Sequence, residues 1–191
     1  MISLINEKIK LYESKFPLLG MFLFTEANPH IVKILKDIDY WNALEALSGD
    51  NIGIFATSLF KGSYAFPPSK PGYLSMMIPV WQEPKENKKI LSFFNIENSR
   101  ELPLFVIFCF EDNEIRLHKI SIEEENSDKA FNSIKNTLEI IDSIYGDGNR
   151  NSLSKQDAFR KLSNKILFEK ASGKFKTLLD IVSTLRGVIG L

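Results

Sequence analysis

The sequence predicts an α/β fold: a mixed sheet flanked by helices, with an N-terminal helix and a C-terminal helical extension. Three observations carry this. Short apolar runs alternate with segments whose apolar residues recur every three or four positions. One run, residues 104–110, is apolar throughout, as a strand covered on both faces should be. Charge also divides the chain: residues 1–149 hold 15 basic and 21 acidic side chains, residues 150–191 hold 9 and 3. The turn-like Gly146-Asp147-Gly148-Asn149 marks the junction, so we divide the chain into a body, 1–149, and a basic amphipathic extension, 150–191.

The elements follow in order. Ile2, Ile5, Ile9 and Tyr12 keep helical spacing, which predicts a short amphipathic helix over Met1 to Tyr12. Leu18 to Phe24 is a buried strand. Asn28-Pro29 combines an N-cap residue with proline at the first helical position, and Ile31, Ile34, Leu35, Ile38, Trp41, Leu44 and Leu47 then predict one helix ending at Gly49. Asn51 to Leu59 is a second strand. Lys61 to Pro84 carries five prolines and four aromatics and reads as a long connection, with Leu74 to Val80 as a short edge strand. Lys85 to Asn95 is a helix. Pro103 opens the strand Leu104 to Phe110, a hairpin turns at Glu111 to Glu114, and Ile115 to Ile122 returns. Ser127 caps a last body helix with Phe131, Ile134, Leu138, Ile141 and Ile144 on one face, closed by Gly146. In the extension, Phe159, Leu162, Ile166 and Leu167 form one helical pattern; Phe175, Leu178, Leu179, Val182 and Leu185 form another.

Two stretches carry a family resemblance: Ile90-Leu91-Ser92-Phe93-Phe94-Asn95-Ile96, and Glu101-Leu102-Pro103-Leu104-Phe105-Val106-Ile107-Phe108. Set in the order strand, helix, strand, helix, hairpin, helix, they resemble the thioredoxin-like segment that leads into the cis-proline and central strand. The spelling is most like the non-catalytic domains of protein disulfide isomerases. The resemblance spans about residues 18–145 and implies a cis Leu102–Pro103 peptide. It also implies where a catalytic Cys-x-x-Cys would stand, between the first strand and its helix, where a helix N-terminus lowers a thiol pKa. Here that place reads Ala27-Asn28-Pro29-His30. Thiol–disulfide exchange needs a thiolate, so that activity is excluded.

Other chemistry has little to stand on. The single Cys109 sits inside an apolar strand and reads as a core residue; one cysteine excludes an intrachain disulfide and a Cys-rich zinc site. His30 and His118 lie far apart without metal-ligand spacing. No nucleophile elbow or phosphate-binding glycine loop occurs, and Glu123-Glu124-Glu125 reads as a solvated face at favourable helix-dipole placement. No catalytic, metal or cofactor site is therefore assigned. A net charge of zero argues against a dedicated nucleic-acid binder, and nucleic acid or anionic lipid enters only through residues 150–191. Met1 to Phe16 lacks the apolar block of a signal peptide and no run reaches the length of a membrane span, which predicts a cytoplasmic protein.

The expected function is a redox-inactive thioredoxin-like interaction or regulatory module that binds a protein partner or self-associates. Asn28, His30, Leu102 and Pro103 are its candidate groove, and Tyr73, Met76 and Trp81 its candidate partner loop. The alternative is an enzyme or small-ligand binder taking a glutathione-like ligand in that groove, an analogy at fold level only.

Overall fold

The computed structural model describes residues 12, 14–66, 78–111, 114–145, 154 and 156–166. Six strands and five helices are labelled: β1 (Leu18–Thr25), α1 (Pro29–Lys36), α2 (Ile38–Ser48), β2 (Ile52–Leu59), β3 (Ser63–Ala65), β4 (Val80–Gln82), α3 (Lys88–Phe93), β5 (Leu104–Glu111), β6 (Glu114–Ser121), α4 (Ser127–Tyr145) and α5 (156–166). A 3-10 turn, Ser99–Glu101, precedes β5.

Four strands form a mixed sheet in the order β2-β1-β5-β6, and β3 pairs with β4 in a separate two-stranded sheet. Strand β1 runs parallel to β2 and antiparallel to β5, and β5 runs antiparallel to β6. Successive side chains of β1 and β5 point to opposite faces, and both faces are covered. Leu18, Phe22, Phe105, Ile107 and Cys109 meet α1, α2, α4 and α5; Leu19, Met21, Leu23, Leu104, Val106 and Phe108 meet α3. That is why these runs are apolar without alternation. Phe22 and Phe105 are register partners and stack at 4.5 Å between ring centroids. Gly20 makes the room: a Cβ there would lie 2.7 Å from the Phe105 ring.

The helix expected from Asn28 to Gly49 is two helices. Asp37 adopts an extended conformation (φ −85°, ψ 120°); its N–H closes α1 on the Lys33 carbonyl and its carboxylate accepts from Asp39 N–H at 3.0 Å to cap α2. The break rotates the apolar face, leaving Ile38 67% exposed while Ile31, Ile34 and Leu44 stay buried. Of the edge strand expected at Leu74 to Val80, residues 74–77 lie outside the described residues; Val80 opens β4, which pairs with β3 and not with the main sheet. The third helix is shorter than Lys85 to Asn95, with residues 85–87 in a turn. Helix α4 is capped one residue earlier than expected: Asn126 Oδ1, not Ser127, accepts from Lys129 N–H at 2.8 Å. The Leu102–Pro103 peptide is cis, as the family resemblance implied.

Helix α5 begins on Ser154, whose Oγ accepts from Asp157 N–H at 3.1 Å and donates to its carboxylate at 2.9 Å. Its Ala158, Phe159, Leu162 and Ile166 are buried in the same cluster as Ile134, Leu138 and Ile141 of α4. Residues 156–166 of the basic extension are thus packed into the core. The expected N-terminal helix up to residue 11, the turn at Gly146 to Asn149 and the second apolar pattern from Phe175 lie outside the described residues. Among the described residues, no helix is long and apolar enough to cross a membrane.

Candidate functional site

The end of β1, the start of α1 and the loop before β5 converge at Leu102–Pro103. Asn28 does not cap α1 with its side chain. Its Oδ1 accepts from Thr25 N–H at 2.8 Å and Thr25 Oγ1 at 3.1 Å, while Nδ2 donates to the Leu102 carbonyl at 3.4 Å. Asn28 and Leu102 are each 9% exposed, so this amide ties the loop before the cis peptide to the head of α1 from inside. Pro103 is buried, and its carbonyl accepts from Ile122 N–H at 3.2 Å.

The cap of α1 comes from far along the chain. Glu124 accepts from His30 N–H at 3.1 Å (Oε2) and from Ile31 N–H at 2.8 Å (Oε1). Those are orphan donors of the first turn, where the helix dipole favours an anion. The reading of Glu123-Glu124-Glu125 as a solvated face holds for the exposed Glu123 and Glu125 and is corrected for Glu124, which is half-buried and serves the dipole of α1, not of the helix that follows it. His30 Nδ1 lies 3.4 Å from Ser127 Oγ and the residue is half-buried. All four expected groove residues thus make fold-holding hydrogen bonds. The residue that sequence reasoning missed is Glu124, whose only signal was an acidic residue ahead of a helix.

A second polar cluster holds the β3–β4 arm. Glu83 Oε2 accepts from Trp81 Nε1 (2.9 Å), Ser99 N–H (2.8 Å) and Ser99 Oγ (2.9 Å), and Oε1 accepts from Asn87 Nδ2 (2.5 Å). Burial pushes the Glu83 carboxyl up, but the hydrogen bonds from Ser99, Asn87 and Trp81 outweigh it and its pKa lies below the usual value. Asn87, fully buried, mimics a strand partner for Phe60, donating to its carbonyl at 2.7 Å and accepting from its N–H at 3.0 Å. The Arg100 guanidinium lies 5.6 Å from the Trp81 ring centroid and donates to Tyr64 Oη at 3.3 Å.

Trp81 is therefore built into the arm. Beside it Phe60, Tyr64, Phe66, Ile78 and Val80 are each more than half exposed, a set the sequence reading did not single out. Tyr73 and Met76, the other expected loop anchors, lie outside the described residues. A polar hollow of about 610 Å³ below the arm is lined by Asn95, Glu97, Asn98, Arg100, Glu101 and Lys119. Its groups are partly spent on one another: Lys119 Nζ donates to the Asn95 carbonyl at 2.8 Å, and Glu101 accepts from Glu97 N–H at 2.8 Å. Among the described residues no group of three His, Cys, Asp or Glu is placed to hold a metal ion. No family model, curated protein or solved structure matches the chain.

Proposed function

We propose that this chain is a redox-inactive thioredoxin-like module that works by binding another protein through the β3–β4 arm. Support for the fold half of the reading comes from the order β2-β1-β5-β6, with β1 and β2 parallel and β5 antiparallel, and from the cis Leu102–Pro103 bond beside the head of α1. The observation that carries the functional half is at that head. Where a thiolate or an anionic ligand group would take the first amides of a helix, Ala27-Asn28-Pro29-His30 offers no cysteine and Glu124 already occupies the N–H groups of His30 and Ile31. A glutathione-like carboxylate would have to displace a covalently tethered one. The arm, in contrast, holds five large apolar side chains in water, a composition that favours a protein interface.

The test pairs the two halves. Glutathione at millimolar concentration should leave the melting temperature of the full chain unchanged, and a Phe60→Ser/Tyr64→Ser/Phe66→Ser variant should fold normally yet lose the proteins that the parent captures from extract. A glutathione-dependent rise in melting temperature, or an identical set of captured proteins, would overturn the reading.

A further inference from the structure

The hollow below the arm holds cations and carboxylates that do not pair with one another. Arg100 and Lys119 line it together with Glu97 and Glu101, and its volume of about 610 Å³ lies within the ~300–1,000 Å³ of a ligand site. Among the described residues neither cation forms an ion pair with a carboxylate. Each is held by neutral groups instead. Arg100 Nε donates to Asn98 Oδ1 at 3.0 Å, Nη1 donates to Tyr64 Oη at 3.3 Å, and the guanidinium faces the Trp81 ring. Lys119 Nζ donates to the Asn95 carbonyl at 2.8 Å.

Those bonds fix the cations without exhausting them. Arg100 Nη2, the remaining Lys119 hydrogens and the Tyr64 O–H are unused. On the acidic side, Glu101 Oε1 accepts from Glu97 N–H at 2.8 Å and Asn98 N–H at 3.5 Å, which leaves Oε2 and the Glu97 carboxylate. Positioned donors for a carboxylate thus stand beside acceptors for N–H groups, and the charges of the lining cancel.

We infer, resting on the reading of the arm as a protein-binding surface, that the hollow takes the free C-terminus of the partner protein. Its terminal carboxylate meets Arg100, Lys119 and Tyr64 Oη, and its last backbone N–H groups meet Glu97 and Glu101. Charge favours this occupant: a phosphate dianion would meet both glutamates at once, whereas a chain end brings one negative charge and N–H donors together. Continuity favours it too. Tyr64 is 59% exposed on the arm and accepts from Arg100 of the hollow, so residues just before the carboxylate reach the apolar side chains of the arm. Glutathione also ends in a carboxylate but brings no apolar side chain for the arm, and exposed ion pairs alone hold little.

The test selects two random peptide libraries on the full chain, one displayed with free C-termini and one with the peptides embedded in a loop. The free-ended library should enrich peptides with apolar residues before the terminus, and the embedded library should not. The best peptide, made as the acid and as the C-terminal amide, should bind about tenfold or more tightly as the acid, read by fluorescence anisotropy. Lys119→Gln and Tyr64→Phe should each weaken the acid by roughly threefold or more and leave the amide unchanged, which separates a lost carboxylate contact from a lost fold. Equal enrichment from both libraries, equal affinity of acid and amide, an acid affinity untouched by both variants, or no enrichment at all would each overturn the inference. Where peptides bind without needing a free end, their loss in the Phe60→Ser/Tyr64→Ser/Phe66→Ser variant keeps the reading of the arm. Where none binds, capture from extract decides that reading.

Discussion

Glu124 and Ile31, 93 positions apart, meet at 2.8 Å between carboxylate and backbone amide. The contact sews the loop after β6 to the first turn of α1, so two segments that sequence alone leaves independent are fixed at one end of the sheet. It also fills the place where the helix dipole would otherwise draw an external anion.

Glu124→Ala should destabilise the protein by about 1 kcal/mol, the usual worth of a helix cap, and up to ~2 kcal/mol because two amides lose their partner. Glu124→Gln should cost less, since the amide oxygen still accepts one bond. Urea unfolding followed by circular dichroism measures both; a change within error for Glu124→Ala would show that water caps α1 equally well.

Glu83 gives a pH signature. Its folded-state pKa lies below the usual value of 4.5, because the hydrogen bonds from Ser99, Asn87 and Trp81 outweigh burial. A depressed carboxyl contributes stability above its unfolded pKa, ~4.3, and loses it as pH falls through the folded value. Glu83→Gln should therefore be less stable than the parent at neutral pH, and the gap should narrow below about pH 4.5. A gap independent of pH between 7 and 3 would contradict the charge-assisted network.

Gly62→Ala should loosen the arm. The added Cβ would lie 2.3 Å from Trp81 Cζ2 and 2.9 Å from the Gln82 carbonyl, so Trp81 must leave its place beside Glu83 and Arg100. Overpacking of this kind costs ~1–3 kcal/mol. Tryptophan emission should shift to the red as Trp81 moves into water, against the constant signal of Trp41; unchanged emission would argue against the packing.

Leu162→Ala should cost ~2–5 kcal/mol, as for other fully buried leucines, because α5 is part of the core. If α5 were an appendage, the same change would leave the unfolding midpoint in urea where it was.

Cys109 is 2% exposed and lies opposite Arg116 in the β5–β6 register. Burial and Cys109 itself also push the neighbouring Tyr145 hydroxyl well up, the mark of a poorly solvated surrounding. A thiol reagent should label Cys109 only at the rate at which the native state opens, and quickly in urea. Rapid native labelling would place it at the surface.

By itself the sequence determined most of the elements. The apolar runs of β1 and β5 have only one way to be buried on both faces, and the spacing of Ile134, Leu138 and Ile141 has only one helical face. It also excluded an intrachain disulfide, since Cys109 is the one cysteine of the sequence. What it left to the tertiary structure was decided over long separations. Asp37 breaks a helix that the apolar spacing carries through, because a local side-chain bond to Asp39 outbids one more turn. Trp81 is claimed by Glu83 and the space over Gly62, and Glu124 by the amides of α1. A carboxylate's partner is chosen by which donors folding leaves orphaned nearby, and that depends on chain geometry no local pattern encodes.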